Sequence, residues 1–337
     1  MIVFWFFVFV FGSALLIKGA DWFVESSEKI ALALKISPFI VGVTIVAIGT
    51  SFPELASSVA AVLKGESQIV MANVVGSNIA NILLIVGSAA VFARTLIVRK
   101  SLINLDAPLL ACSTTLLFFI AFDGKISLFE GTILCLAFLV FFLYTLFQRR
   151  EEIVTPELIE ILPQEVKIEI LPSRVERRRK KIKKEKTEKV NFKVVFFLIL
   201  GVIGLIVGAD FTIDSLIKIA EILKIPASLI AIVGLAIGTS LPEMVVSIRA
   251  AIKRKYEIAL GNVFGSNVFN ALLITGISSL IKPLLVDNLV VSIGLPFLIF
   301  STFLFIISGI SRRIYLWEGA MYWLIYILFI AKLYSLL

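Results

Sequence analysis

Residues 17–87 align with residues 206–276 at a constant offset of 189, without a gap. Between Gly49–Gly87 and Gly238–Gly276, 19 of 39 positions are identical. Upstream, Gly19-Ala20-Asp21 recurs as Gly208-Ala209-Asp210 and Lys35-Ile36 as Lys224-Ile225. Near the end, Glu130-Gly131 recurs as Glu318-Gly319 at an offset of 188. A chain with this self-similarity folds as two copies of one unit, so the content of one unit fixes the architecture.

That unit is built for a bilayer. The 337 residues are 59% hydrophobic and only 17% charged, with a mean hydropathy of +1.04. Soluble chains run at about 45–50% apolar and about 25% charged. A helix needs about 20 apolar residues to cross a membrane. Apolar runs fall near 2–34, 36–63, 68–92, 104–122 and 126–148, then near 192–222, 226–252, 256–281, 287–309 and 314–336. Each unit therefore holds five spans. Five is odd, so the second unit starts on the opposite face from the first, the inverted repeat typical of secondary transporters. The expected fold is an all-α integral membrane protein with ten transmembrane helices. The expected organisation is a first five-helix repeat over 1–148, a charged linker over 149–191 and a second repeat over 192–337.

Composition excludes several chemistries. There is no histidine, so imidazole triads, zinc-histidine sites and imidazole proton switches are absent. Cys112 and Cys135 lie inside apolar runs and read as small core residues rather than a disulfide. No acid or serine dyad stands out, so an intramembrane enzyme is disfavoured. The start of the chain has neither a basic region nor a small-residue cleavage site, so the first segment is expected to be retained.

The net charge is +8, and residues 149–193 carry 14 Lys/Arg against 9 Asp/Glu. The run Arg177–Lys181 reads as part of a cytoplasmic loop rather than a nucleic-acid site. A solvated connector is the simpler role for the linker, and a regulatory or lipid-touching segment the alternative. Basic residues gather after odd-numbered spans: Arg94, Arg99 and Lys100; Lys253, Arg254 and Lys255; Arg312 and Arg313. By the positive-inside rule those loops are cytoplasmic and both termini lie outside, in the cell membrane.

Two motifs recur in the most polar part of the membrane body. Gly49-Thr50-Ser51-Phe52-Pro53-Glu54 returns as Gly238-Thr239-Ser240-Leu241-Pro242-Glu243. Proline removes an amide donor and glycine lets the backbone leave helical geometry, so each helix is expected to break there. Freed carbonyls would then line a cavity. Glu54 and Glu243 have no basic residue near them in their own helices, and an intramembrane carboxylate is functional by default. The second motif, Asn73 to Asn81, returns as Asn262 to Asn270. Ser77 and Asn81 are four apart and share a helical face, as do Ser266 and Asn270. Gly76 and Gly265 permit close helix approach, and Asn78 and Asn267 suit interhelical hydrogen bonds equally well. Asp21 and Asp210 suit a cavity or a structural role. The donors are the carboxylates of Glu54 and Glu243, the hydroxyls of Thr50, Ser51, Ser77, Thr239, Ser240 and Ser266, and the amide oxygens of Asn81 and Asn270. All are hard oxygens, which favour Ca²⁺ and similar cations over soft metals.

On these paired motifs the chain resembles the sodium/calcium exchanger branch of the calcium/cation antiporters, over essentially its whole length. The resemblance implies four signature helices around a central cation site, with the first helix of each half as a sliding pair outside it. It implies ligand roles for Ala47, Thr50, Ser51, Glu54, Ser77 and Asn81, and for Ala236, Thr239, Ser240, Glu243, Ser266 and Asn270. Ca²⁺ would be held by Glu54, Glu243, Thr50 and Thr239. It further implies exchange of Ca²⁺ for Na⁺ by alternating access, with these ions as cargo, no cofactor, and one subunit sufficient for transport. Some relatives carry Asp where this chain has Asn270. With two carboxylates only, the site balances one Ca²⁺, two Na⁺ or two H⁺, which disfavours potassium co-transport and a three-for-one ratio. A proton/calcium antiporter using the same glutamates is the alternative.

Overall fold

A computed structural model describes residues 2–34, 36–98, 106–147, 191–223, 238 and 240–334. The linker expected at 149–191 falls, except for Asn191, outside the described residues, as do Arg99, Lys100, Ala236 and Thr239.

Each expected apolar run holds a described helix. Helix α1 is Ile2–Leu34. The second run is α2 (Pro38–Val41), a π-helical turn (Gly42–Val46) and α3 (Ala47–Leu63). The third is α4 (Ser67–Ala80), a π turn (Asn81–Val86) and α5 (Gly87–Ala93). Strand β1 (Thr95–Ile97), α6 (Ala107–Ala121), β2 (Lys125–Ile126) and α7 (Leu128–Phe147) complete the first repeat. The second runs through α8 (Phe192–Ile222), α9 (Leu241–Ile252) and α10 (Tyr256–Val268). A π turn (Phe269–Ile274), α11 (Thr275–Ile281) and β3 (Leu284–Leu285) follow. It ends with a π turn (Val290–Gly294), α12 (Leu295–Ile310), β4 (Arg313–Tyr315) and α13 (Leu316–Tyr334). Eight helical stretches are long and apolar enough to cross a membrane. Ala107–Ala121 is a shorter apolar helix, and the run at 226–252 is described as helix only from Leu241. Ten helical stretches are therefore present, but not ten full-length ones among the described residues.

Two small ladders fix the topology. Strand β1 pairs antiparallel with β4, and β2 with β3. At the repeat offset β1 corresponds to β3. Yet β1 and β2 lie at opposite ends of the single helix α6, so β3, which pairs with β2, lies opposite β1. Corresponding loops therefore sit on opposite faces, and the two units are inverted. The faces are called below the β1–β4 face and the β2–β3 face.

The third helical stretch of each repeat forms the centre. Ser67–Ala93 and Tyr256–Ile281 have 72% and 78% of their most apolar window buried, against 17% for α1. Helices α1 and α8 pack along each other at the periphery, as the family resemblance implied. Glycines make that contact possible. A methyl group on Gly19 would sit 2.8 Å from backbone atoms of Gly204 and Leu205, and one on Gly208 2.5 Å from the Leu16 nitrogen. Backbones this close gain van der Waals contact, the main attraction between helices in lipid.

Several expectations need correction. The first motif does not break its helix: α3 runs unbroken through Gly49 and Pro53. Proline deprives the Gly49 carbonyl of one intrahelical donor, and the flanking bonds carry the helix across. The departure from α geometry lies upstream, in the π turn Gly42–Val46. In the second motif a helix does begin, with Ser240 at its N-cap and Pro242 in its first turn. The two central glycines also differ. Gly265 packs against the Val43 carbonyl and the Ala47 side chain, whereas a methyl group on Gly76 would meet nothing within 4 Å. The residues that correspond to Val43 and Ala47 are 232 and 236, outside the described residues. Cys112 is exposed rather than in the core, while Cys135 is half-buried against Gly276; both are free thiols. Asn78 donates to the carbonyl of its own repeat mate, Asn267, at 3.0 Å, which is the packing role.

Among the described residues, left-handed backbone occurs at five places. Gly65 (φ 90°) and Gly124 (φ 85°) lie at the β2–β3 face; Arg94 (65°), Arg254 (60°) and Arg312 (59°) lie at the β1–β4 face. For a residue with a Cβ this conformation costs roughly 1–2 kcal/mol.

The contrast between the central glycines is measurable. Gly265→Ala is expected to lower the melting temperature in detergent, at a cost of about 1–3 kcal/mol, because its methyl group meets backbone. Gly76→Ala enters open space and is expected to stay within about 0.5 kcal/mol of the parent.

Candidate cation-binding site

The two signature motifs of each repeat converge in the interior. Helix α3, carrying Glu54, packs on the π turn that contains Asn270; helix α9, carrying Glu243, packs on the π turn that starts at Asn81. The helix that carries each carboxylate thus packs on the turn that carries the other repeat's asparagine. Glu54 and Glu243 are 2% and 1% exposed. Thr50, Ser51, Ser77, Asn81, Ser240, Ser266 and Asn270 are all buried as well. Among the described residues no Lys or Arg forms an ion pair with either glutamate.

Direct hydrogen bonds join part of this set. Ser51 Oγ lies 2.9 Å from Glu243 Oε1 and 2.9 Å from Ser266 Oγ. A hydroxyl has one proton, so Ser51 donates to the carboxylate and accepts from Ser266. Thr50 Oγ1 is 3.1 Å from Asn262 Oδ1 and 3.2 Å from the Ala47 carbonyl, either of which can take its proton. Ser77 Oγ donates back to the Asn73 carbonyl at 2.6 Å.

Other atoms of the set have no partner. Glu54 Oε2, Glu243 Oε2, Ser240 Oγ, Asn270 Oδ1 and both amide atoms of Asn81 are buried without a hydrogen bond. Inside a bilayer an unsatisfied polar group costs several kcal/mol. Here five of the six are oxygens, and two of those belong to carboxylates. The residues present suit a hard cation: unpartnered oxygens, two negative charges, no thiolate. No group of three or more His, Cys, Asp or Glu gathers among the described residues, so any cation held here relies mainly on neutral oxygens.

Two residues escaped the sequence reading. Asn262 takes the Thr50 hydroxyl on its oxygen and donates through Nδ2 to Ser247 Oγ at 2.9 Å and to the Glu243 carbonyl at 3.3 Å. It ties α3 to α9 around the glutamate. The signal was there, since Asn262 opens the second motif, but Ser247 lies outside both motifs. Ala236 and Thr239 cannot be placed, being outside the described residues. Asp21 is resolved in favour of the structural role: its carboxylate takes both Arg249 Nε (2.8 Å) and Nη2 (2.7 Å), with Lys253 Nζ at 2.7 Å.

A family model for the sodium/calcium exchanger protein matches residues 4–147 and 193–334. The chain belongs to the sodium/calcium exchanger family. It is 35% identical to the sodium/calcium exchanger MaX1 of Methanosarcina acetivorans over 344 residues, covering 98% of each chain. It is 32% identical to the putative antiporter CaxA of Alkalimonas amylolytica, over 82% of this chain and 80% of that one. Its structure is similar to that of the sodium/calcium exchanger from Methanococcus jannaschii, with a TM-score of 0.79 at 29% identity, over 98% and 99% of the two chains. Family membership makes this a polytopic membrane protein of cation antiport.

The role of Asn262 has a direct test. Asn262→Ala strands the Ser247 hydroxyl and the Glu243 carbonyl and removes an acceptor from Thr50. A loss of about 1–3 kcal/mol of stability is expected, seen as a lower melting temperature.

Proposed function

We propose that the chain exchanges Ca²⁺ for Na⁺ by alternating access, with both ions competing for oxygens between Glu54 and Glu243. The observation that carries this reading is the set of buried, unpartnered oxygens around two carboxylates that no basic side chain neutralises. A cation supplies what the interior lacks. Thr50 and, by its place in the repeat, Thr239 join the glutamates as Ca²⁺ ligands. The other motif hydroxyls, Asn81, Asn270 and the carbonyls of Ala47 and Ala236 complete the cation sites. Na⁺ and Ca²⁺ are cargo, and one subunit suffices. The β1–β4 face is cytoplasmic and both termini are outside, following the basic loops.

Alternating access is supported by an asymmetry between the halves. Ser51 holds Glu243, whereas its repeat mate Ser240 has no hydrogen-bond partner. A second asymmetry lies at the helix ends. At the β1–β4 face, Asp21, Glu25 and Glu28 of α1 are ion-paired with Arg249, Lys253 and Lys255, at 2.7–2.9 Å. At the repeat offset Asp21, Glu25 and Lys253 become Asp210, Asp214 and Lys64, while Arg249 becomes Ala60 and the Glu28–Lys255 pair becomes Ile217 and Glu66. Asp210, Asp214 and Lys64 are exposed and form no ion pair among the described residues. One latch is closed and its counterpart open. In the opposite state Asp210 and Asp214 would meet Lys64 while Asp21 leaves Arg249. The missing arginine weights the balance toward the arrangement seen here.

The first experiment is Ca²⁺ uptake into Na⁺-loaded liposomes, with pH clamped and the membrane potential shunted. Uptake that requires the outward Na⁺ gradient is expected. Uptake that ignores Na⁺ but follows an imposed pH gradient would make it a proton-coupled antiporter. Glu54→Gln and Glu243→Gln are each expected to abolish Ca²⁺ transport in a protein that still elutes and melts as folded. Full activity in either variant rejects the assignment.

The latch makes a sided prediction. Asp21→Asn should ease transport begun from the β1–β4 face, and Lys64→Gln should do the reverse. The ratio of half-maximal Ca²⁺ concentrations at the two faces should change by up to about fivefold, the factor given by about 1 kcal/mol from a partly exposed ion pair. An unchanged ratio in sided proteoliposomes would discard the latch.

A further inference from the structure

The repeat preserves a backbone shape and changes the residue that fills it. Gly65 corresponds to Arg254 at the offset of 189, and Gly124 to Arg312 at 188. All four have left-handed φ. At the β2–β3 face the position is filled by the residue that adopts this conformation freely. At the β1–β4 face it is filled by arginine, which does not. A third arginine, Arg94, adds a left-handed turn at the β1–β4 face alone, where its repeat mate is Pro283. At the Gly65/Arg254 and Gly124/Arg312 positions the backbone turn does not itself require a side chain, so the arginines there call for another explanation.

The surroundings supply it. Arg94, Arg254, Arg312 and the adjoining Arg313 are exposed, and none forms an ion pair among the described residues. This contrasts with their neighbours: Lys253 and Lys255, on either side of Arg254, are both taken by carboxylates of α1. Arg94 and Arg312 are held beside one ladder. The Val98 amide donates to the Arg312 carbonyl at 2.9 Å, and the Leu316 amide to the Arg94 carbonyl at 3.1 Å. Arg254 joins them on the same face, because the helical stretch from Tyr256 to Ile281 leads from it to β3 on the other. Next to the ladder, Tyr315 and Trp317 are 46% and 78% exposed. Exposed tyrosine and tryptophan at a helix start mark headgroup depth in a membrane protein. The basic cluster therefore sits level with lipid headgroups, not out in water.

From this placement we infer that Arg94, Arg254, Arg312 and Arg313 form a docking surface for anionic phospholipid headgroups in the leaflet at the β1–β4 face. The guanidinium fork matches phosphate oxygens two at a time. All four arginines are exposed and outside the ion pairs of the described residues, which leaves each fork available to a headgroup. The corresponding ladder at the β2–β3 face carries exposed Lys125 and Lys282 beside exposed Asp123 and Asp287, so it offers no excess of positive charge to the same lipid. The inference does not depend on which cations are exchanged.

The glycines of the other repeat provide the test. In the variant Arg94→Gly/Arg254→Gly/Arg312→Gly each substitution installs the residue best suited to the backbone, so the purified protein should melt at or above the parent's temperature. Phosphatidylglycerol is titrated into protein held in neutral detergent, and the melting temperature is followed. The parent is expected to rise and saturate, with the rise shrinking at high salt. The variant should need about tenfold more phosphatidylglycerol, or more, to reach half of that rise. A variant that keeps the parent's titration overturns the proposal. So does an equal rise of the parent with phosphatidylcholine, or with inorganic phosphate at matched concentration, since neither presents an anionic headgroup in a lipid. Arg254→Gly alone, measured in the same way, carries the test if the triple variant does not fold: an unshifted titration rejects the surface, and a weakened one supports it.

Discussion

Glu54 and Glu243 bring two carboxylates into a buried region where, among the described residues, no basic side chain pairs with them. Charges that meet in a medium of low permittivity repel strongly, and a carboxylate without partners is among the costliest groups to bury. The surrounding chain reduces that cost only in part. Ser51 reaches Glu243, and Asn262 holds the backbone carbonyl of the same residue. One oxygen of each carboxylate, with the amides of Asn81 and Asn270, stays unsatisfied. An interior left short of positive charge in this way has a standing affinity for cations. Because its neutral ligands are flexible oxygens, a divalent ion and monovalent ions can both answer it.

Duplication and inversion bring two copies of the same donors to one centre. An exact two-fold would give both glutamates identical surroundings. The structure departs from it, with Ser51 engaged and Ser240 idle, and with the α1 latch closed on Arg249 while its counterpart lacks an arginine. These differences lie on different elements, one in the core and one at the helix ends. The α1–α8 pair connects them, since its glycines allow backbones to touch without interlocking side chains, a contact with few ridges to resist sliding.

Much of this was legible in the sequence because it rests on chemistry that spacing reveals. The odd number of spans in a repeated unit forces inversion, and the ladders β1–β4 and β2–β3 realise it. Glu54 and Glu243 stood out because carboxylates in apolar runs have few explanations. What was misread depends on packing. Proline at 53 suggested a break, yet a helix supported on several sides loses one bond and continues; the irregularity moved to π turns at Gly42–Val46, Asn81–Val86 and Phe269–Ile274, which no residue type announces. Asp21 was ambiguous because its partner, Arg249, lies 228 residues away. Asn262 was visible as part of a motif, but its three partners come from three-dimensional proximity alone.

The repeats have diverged unevenly, and the pattern of divergence separates what each position answers to. At the buried centre, Glu, Ser, Thr and Asn coincide in both copies, because inversion brings both copies of the motifs into one shared interior. At the helix ends they part: Gly65 against Arg254, Gly124 against Arg312, Ala60 against Arg249. Those positions share a backbone but not a surrounding, since inversion carries corresponding loops to opposite faces. A membrane with unlike leaflets imposes unlike chemistry on the two. The identities in an inverted repeat thus record the shared interior, and the differences record the two sides of the bilayer.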